Sequence, residues 1–328
     1  MPGYFVISLD FELLWGVKDH RTKASYGKNI LGARKAIPLM VDLFERKEIH
    51  VSWATVGFLF YDKMKDLLDS FPQERPEYHN SKLSNYNQLM DLGEDEHSDP
   101  YHYGKSLIRL IQSKKYQDIE THTFSHYYCQ EPYNKLRAFE SDIKAAMNAA
   151  EGLGVKVKSI VFPRNQVNKE YLQVLADNGI IAYRGNPDSY YYDSKSQKEN
   201  TKFKRIVRLL DAYFPLIKIS TPSLQEINPE VPVNITSSRF LRPYSSKLFF
   251  LEGLKMKRIK KEMYQAAVAN EIYHLWWHPH NFGISTNQNM EQLEELLDWY
   301  TYLNKQFGMA SASMTELATH VLNKHKTI

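Results

Sequence analysis

The sequence predicts an α/β protein, a run of seven or eight β/α units that form one parallel sheet or barrel. Three observations lead there. Short apolar runs of strand length alternate with longer stretches of helical periodicity along the chain. No internal repeat, low-complexity tract or linker marks a second domain, so the 328 residues read as one. Residues able to do chemistry collect just after the apolar runs, at the C-terminal ends of the expected strands, where parallel α/β folds place their sites.

The strands and helices follow in order. Tyr4 to Leu9 is nearly continuously apolar, as a strand covered on both faces should be. A helix is expected from Ile30 to Lys47, kinked or divided by Pro38, then a strand from Ile49 to Ala54 and a helix from Gly57 to Leu68. Phe71 to Gly104 is polar and turn-rich, a long insertion that reads as a lid or binding wall. Within it, His97, Asp99 and His102 read as parts of a solvated loop rather than a metal cluster.

A short helix, Lys105 to Ser113, precedes a third strand, Lys115 to Glu120. A long helix from Tyr133 to Glu151 ends at Gly152-Leu153-Gly154. Val157 to Phe162 and Ile180 to Tyr183 are the fourth and fifth strands, with a helix from Asn168 to Asn178 between them and a tyrosine-rich loop, 186–200, after them. The stretch 203–223 is ambiguous. A sixth strand is expected at Val231 to Ile235 despite Pro232, a helix at Lys247 to Asn270, and a seventh strand at Ile272 to Trp277. The basic run Lys255 to Lys261 reads as a solvated helix face. A helix from Gln288 to Gln306, a strand at Met309 to Ala312 and a helix from Met314 to Lys324 complete the chain.

Composition narrows the function. Basic residues exceed acidic ones by four and are dispersed, which argues against nucleic acid as a partner. Aromatic content is 13 %, with 22 tyrosines, read mainly as core although tyrosines also floor carbohydrate sites. The single cysteine, Cys129, rules out an intramolecular disulfide and reads as a buried thiol in a reducing compartment. The first apolar run lacks a basic leader before it and enters Asp10 directly, so it reads as a core strand and not a signal peptide. No apolar run reaches the length of a membrane span. The expected location is the cytoplasm.

Four strand ends carry chemical groups. They are Asp10 with Glu12, His122 with His126, Arg164, and His278 with His280. Converging at one end of a barrel, they supply what metal-assisted hydrolysis requires. A carboxylate and two histidines spaced by four hold a divalent ion, and a second carboxylate serves as base. An arginine keeps that carboxylate ionised and oriented, and a separate histidine protonates the leaving group.

Ser8-Leu9-Asp10-Phe11-Glu12, His122-Thr123-Phe124-Ser125-His126 and His278-Pro279-His280 resemble, in order, the motifs of polysaccharide deacetylases of the NodB-homology type. Ala54-Thr55-Val56-Gly57-Phe58-Leu59 is similar to the family's second-strand segment, and the resemblance covers roughly residues 4 to 285. It implies a distorted (β/α) barrel and a metal-dependent N- or O-deacetylase. It also implies Asp10 as base, Glu12, His122 and His126 as ligands of a divalent ion such as zinc, and His278 or His280 as acid. Two departures stand out. The family's adjacent aspartates are separated here by Phe11, so the roles of Asp10 and Glu12 could be exchanged. Its Arg-x-Pro-Tyr appears as Phe162-Pro163-Arg164-Asn165-Gln166, which displaces Arg164 from its usual register. The expected substrate is an N-acetylated sugar or glycan precursor, with a sugar deformylase, a catalytically decayed carbohydrate-binding barrel and a glycosidase using Asp10 and Glu12 as the competing readings. The oligomeric state is not legible.

Overall fold

The computed structural model describes residues 2–131, 135–193 and 201–326. The expected helix start at Tyr133 and the second part of the 186–200 loop lie outside the described residues. Strand β1 (Tyr4–Phe11) is buried at every position and is central: it pairs in parallel with β2 (Val51–Thr55) and with the late strand β8 (Ile272–Trp277). Helix α1 (Lys23–Arg46) joins β1 to β2. It begins seven residues earlier than the apolar pattern suggests, because Thr22 and Ser25 form a reciprocal cap. Pro38 does not divide it. Burial of Ile30, Ala33, Ile37, Met40, Val41 and Phe44 along one face outweighs the hydrogen bond that the proline removes, a cost of about 3 kcal/mol.

Helices α2 (Met64–Asp69) and α3 (Lys105–Gln112) flank the long insertion, and β3 (Gln117–Thr121) follows beside β2. Then come α4 (Leu136–Glu151), β4 (Ser159–Ile160), α5 (Leu172–Asp177) and β5 (Ala182–Tyr183), each strand adding in parallel to the last. Helix α6 (Lys202–Asp211) resolves the ambiguous stretch. Strands β6 (Val233–Asn234) and β7 (Arg239–Phe240) are followed by α7 (Phe249–Ala269), β8, α8 (Thr286–Phe307), β9 (Ala310–Ser311) and α9 (Met314–Lys326).

The strand order is β6-β5-β4-β3-β2-β1-β8-β7, with β9 on the lower part of β1. β6 and β7 belong to one extended run. The N–H groups of Val233, Ile235 and Ser237 donate to carbonyls of Ile181, Tyr183 and Gly185, and those of Ser238 and Leu241 donate to His274 and Trp276. That run therefore bridges the two ends of the sheet and curls it into a distorted (β/α) barrel. Pattern reading missed β7 because only Arg239 and Phe240 pair, too few to show a period.

Inside the barrel, alternate residues point to the axis, and their character changes with height. At the bottom Tyr4, Val6, Ala54, Val161, Ala182, Val233, Ile235 and Ile272 form an apolar cluster plugged by Met314, Leu317, Ala318 and Val321 of α9. Higher up, the same inward positions become Ser8 and Asp10 on β1 and His274 on β8. Water is excluded below, and the polar layer faces the open, C-terminal mouth. Among the described residues, no helix is long and apolar enough to cross a membrane.

The insertion carries a buried charge cluster against the barrel. Asp99 and His102 are buried and bonded at 2.7 Å, Lys23 lies 3.1 Å from Asp99, and Lys18 lies 2.7 Å from the other ring nitrogen of His102. The expectation of a solvated loop at these two residues is thus corrected, because their charges are satisfied internally. The basic run on α7 departs from expectation at Lys255 and Arg258, while Lys257 and Lys261 are exposed as a solvated face requires. Lys255 is buried against Glu252 at 2.5 Å, and Arg258 pairs with Asp211 and Glu262.

Candidate metal and hydrolytic site

Glu12 follows β1, His122 follows β3, and His126 lies one turn further on. Their ligand atoms all lie within 4.8 Å of one another, and all three residues are buried. Glu12 Oε2 is 3.0 Å from His126 Nε2 and 3.4 Å from His122 Nε2. The His122 ring is held by its other nitrogen, whose N–H donates to the Val161 carbonyl at 2.8 Å. That bond fixes the tautomer and leaves Nε2 as a lone pair facing Glu12, with no hydrogen-bond partner. An imidazole lone pair buried without a donor costs free energy unless something electrophilic occupies the gap. Two imidazoles and a carboxylate are a donor set for a divalent ion, so these residues fit one.

The local backbone is strained to make this possible. Thr123 and His126 both adopt the left-handed region, at φ 64° and 62°, each costing on the order of 1–2 kcal/mol for a non-glycine residue. Asp142 of α4 holds the turn. Its carboxylate accepts from the N–H of Phe124 at 2.6 Å, from the N–H of Ser125 and from the Ser125 hydroxyl. Burial raises its carboxyl to about 6. Gly57 lets β2 approach the same turn, since a Cβ there would stand 2.4 Å from the Phe124 ring. Gly16 similarly leaves room for Glu12, whose carboxylate would lie about 2 Å from a Cβ at that position.

Asp10 sits one inward position below Glu12. Arg184, just past β5, grips it with two bonds, Nη1 to Oδ1 at 2.7 Å and Nη2 to Oδ2 at 2.8 Å. The same guanidinium donates to the Ser8 hydroxyl at 3.0 Å and to Asn165 Oδ1 at 2.7 Å. Burial alone would raise the Asp10 carboxyl. Arg184, with His122 and His278, outweighs that and holds it below its ordinary value. Glu12 is likewise pulled well below its ordinary range, burial being outweighed by His278, His122 and His126.

Arg164 was the expected partner of the base, and the structure gives that position to Arg184. Arg164 and Asn165 both turn left-handed at φ 55° and 54°, which swings the Arg164 guanidinium away from Asp10. It stacks over Tyr128 at 4.2 Å and bonds Asp19 at 2.5 Å. Arg184-Gly185-Asn186 ends a strand too, but an arginine before a glycine carried no separable signal. Beneath this layer lies His274, its Nε2 2.8 Å from Ser8 Oγ and its Nδ1 3.2 Å from the Ile235 carbonyl. Burial, with Arg184 adding to it, lowers this imidazole to about 3, so it is a neutral strut.

His278 and His280 flank the pair of carboxylates from β8. His278 Nε2 lies 3.6 Å from Asp10 and 3.7 Å from Glu12, with 24 % of its side chain exposed to the mouth, and Asn281 is 3.2 Å from Nδ1. His280 is buried, with Nδ1 3.8 Å from Glu12 and the Tyr26 ring 5.5 Å away. Burial and the neighbouring His278 lower it to about 3. Sequence position favours His278, which the strand holds, over His280 in the loop, and burial also distinguishes the two.

The backbone arrangement has close counterparts among solved structures. A putative polysaccharide deacetylase from Mycobacterium smegmatis superposes with a TM-score of 0.60 at 11 % identity, over 99 % of this chain and 91 % of that one. The chain has the polysaccharide-deacetylase fold. A probable polysaccharide deacetylase from Pseudomonas aeruginosa PAO1 gives 0.55 at 10 % identity over 98 % and 91 %, and the allantoinase PuuE gives 0.55 at 10 % over 98 % and 90 %. At such identities the likeness is one of fold. Sequence comparison by itself matches no family model and no curated protein.

Proposed function

We propose that this protein is a metal-dependent hydrolase that removes an acetyl group from the nitrogen of an acetylated sugar or glycan precursor. The observation that carries the reading is the buried Glu12–His122–His126 cluster, with an orphaned imidazole lone pair, directly beside a carboxylate clamped by Arg184. The named polysaccharide deacetylases that share the fold support it. A divalent ion, zinc by the nitrogen-rich donor set, would polarise the acyl carbonyl and acidify a water.

The remaining work falls to the chain's own groups. Asp10, kept ionised by Arg184, accepts the proton of the attacking water. Arg184 also fixes the carboxylate in orientation, since two donors in a plane leave it no freedom to rotate. His278 donates the proton that an amine leaving group requires, because it is the histidine open to the mouth. His280, neutral and enclosed, orients the turn beneath it. The apolar floor built with α9 keeps bulk water from entering from below.

The test is acetate release by the metal-loaded protein across a panel of N-acetylated, O-acetylated and N-formylated sugars. Release from N-acetyl sugars, lost in Asp10→Asn, supports the reading. Release of formate alone would make it a deformylase, and no release from any member with the metal bound would overturn the enzymatic reading.

A further inference from the structure

Arg242 follows β7 and lies at the mouth of the barrel. Its neighbour Phe240 is one of the inward residues, its ring 4.7 Å from Trp276 and 6.0 Å from the His278 imidazole. The Arg242 guanidinium is 6.0 Å from the centre of that same ring. Both groups therefore lie against one aromatic ring, and they are no more than twice that distance apart. A phosphorylated monosaccharide can span the gap.

Among the described residues this guanidinium has no counter-ion. Other enclosed arginines among the described residues are paired: Arg184 with Asp10, Arg239 with Glu262 and Asp211, and Arg258 with the same two acids. Among the described residues Arg242 has no carboxylate and no hydrogen-bond partner for its side chain. The acids of its neighbourhood are already held, Asp211 by Arg239 and Arg258, and Glu252 by Lys255. It interacts electrostatically with two phenols, Tyr192 and Tyr213, and with two further cations, Arg208 of α6 and Lys255. Burial lowers the Arg242 guanidinium from its ordinary value, and the opposing effect of Tyr213 and Tyr192 does not restore it. Its main chain is pinned, since Lys255 Nζ donates to the Arg242 carbonyl at 3.0 Å.

A half-buried, unpaired arginine beside further cations, opening on a hydrolytic site, is suited to an anion carried by the substrate. The planar fork of donors matches phosphate oxygens. We propose that Arg242 binds a phosphate group of the substrate, so that the acetylated sugar is presented as a phosphate- or diphosphate-bearing one and not as a neutral polymer. The substrate part of this inference rests on the deacetylase reading; the anion site does not.

The experiment is calorimetric titration of the metal-loaded protein with inorganic pyrophosphate and with uridine diphosphate, repeated on Arg242→Gln and Arg242→Lys. Because an ion at His122 and His126 would itself attract phosphate, the titration is also run on the His122→Ala/His126→Ala protein. The proposal expects affinity to fall about tenfold or more in Arg242→Gln, the worth of a charge-assisted hydrogen bond. It expects a smaller loss in Arg242→Lys and retained binding in the double-histidine variant. The tighter of the two probes shows whether a nucleoside carrier is recognised along with the phosphates. Equal affinity in wild type and Arg242→Gln, or binding that disappears with the two histidines, overturns it. Arg242-dependent anion binding without deacetylation would remove the proposed function and leave the anion site standing. Deacetylation of neutral sugars with no such binding would do the opposite.

Discussion

Replacing Arg184 by methionine removes the guanidinium that grips Asp10 while roughly keeping the volume of the side chain. Both partners are almost completely enclosed, Arg184 at 1 % and Asp10 at 3 % exposure, so neither can recover its lost partner from water. At an effective dielectric near 20, unit charges about 4 Å apart attract by about 4 kcal/mol, and breaking a buried pair on one side typically costs about 3–5 kcal/mol. Arg184→Met and Asp10→Asn should each destabilise the fold by about that amount. In the double variant no uncompensated charge remains, so its loss should fall short of the sum of the two by about 2–4 kcal/mol. The assay is urea unfolding of the four proteins at one pH, followed by circular dichroism. Arg164→Met serves as the reference, since its pair with Asp19 is partly open to solvent and should cost less. Additive losses at residues 10 and 184, or a larger loss at 164 than at 184, would refute the assignment of Arg184 as the partner of Asp10.

Other outcomes follow from the same geometry. His278→Ala should lower the ratio of amide to ester turnover while His280→Ala lowers both alike, because only an amine leaving group strongly needs the proton; a ratio unchanged in His278→Ala would deny it the acid role. In Gly32→Ala the new methyl would stand 1.9 Å from the Gly283 carbonyl, so α1 and the turn carrying His280 must separate. Stability should drop by about 1–3 kcal/mol and turnover by about 100-fold, and a variant with wild-type values would show the contact to be slack. The hydrogen bond to Glu316, outweighing burial, raises His50, and the same ring outweighs burial in lowering Glu316. The histidine's share of stability is therefore complete below its unfolded value and is lost as pH rises through its raised folded value. The gap between wild type and His50→Gln should narrow from pH 6 to pH 8, by less than about 1 kcal/mol because Glu316 is 42 % exposed. A gap that widens would reverse the sign.

Much of the fold was legible because parallel strands buried on both faces are written as apolar runs, and β1 and β8 show this most clearly. The short strands were harder. β4, β5, β6 and β7 contribute two residues each, and what keeps them in the sheet is ring closure, a property of the whole chain. The Glu12–His122–His126 cluster was readable from two histidines four positions apart and a strand-end carboxylate. Arg184 was not, because its role depends on which strand end lies across the axis from β1. Asp142 and His274 are invisible for a related reason. One braces a strained turn from a distant helix and the other supports the site from below, and neither task leaves a local pattern.

The most direct test of the central claim is the metal content of the purified chain, compared between wild type and the His122→Ala/His126→Ala variant after identical loading with zinc and dialysis. The account predicts about one ion per chain in the wild type and essentially none in the variant, with both still folded. An equal ion content in the two proteins, or a wild type that holds none after loading, would contradict it.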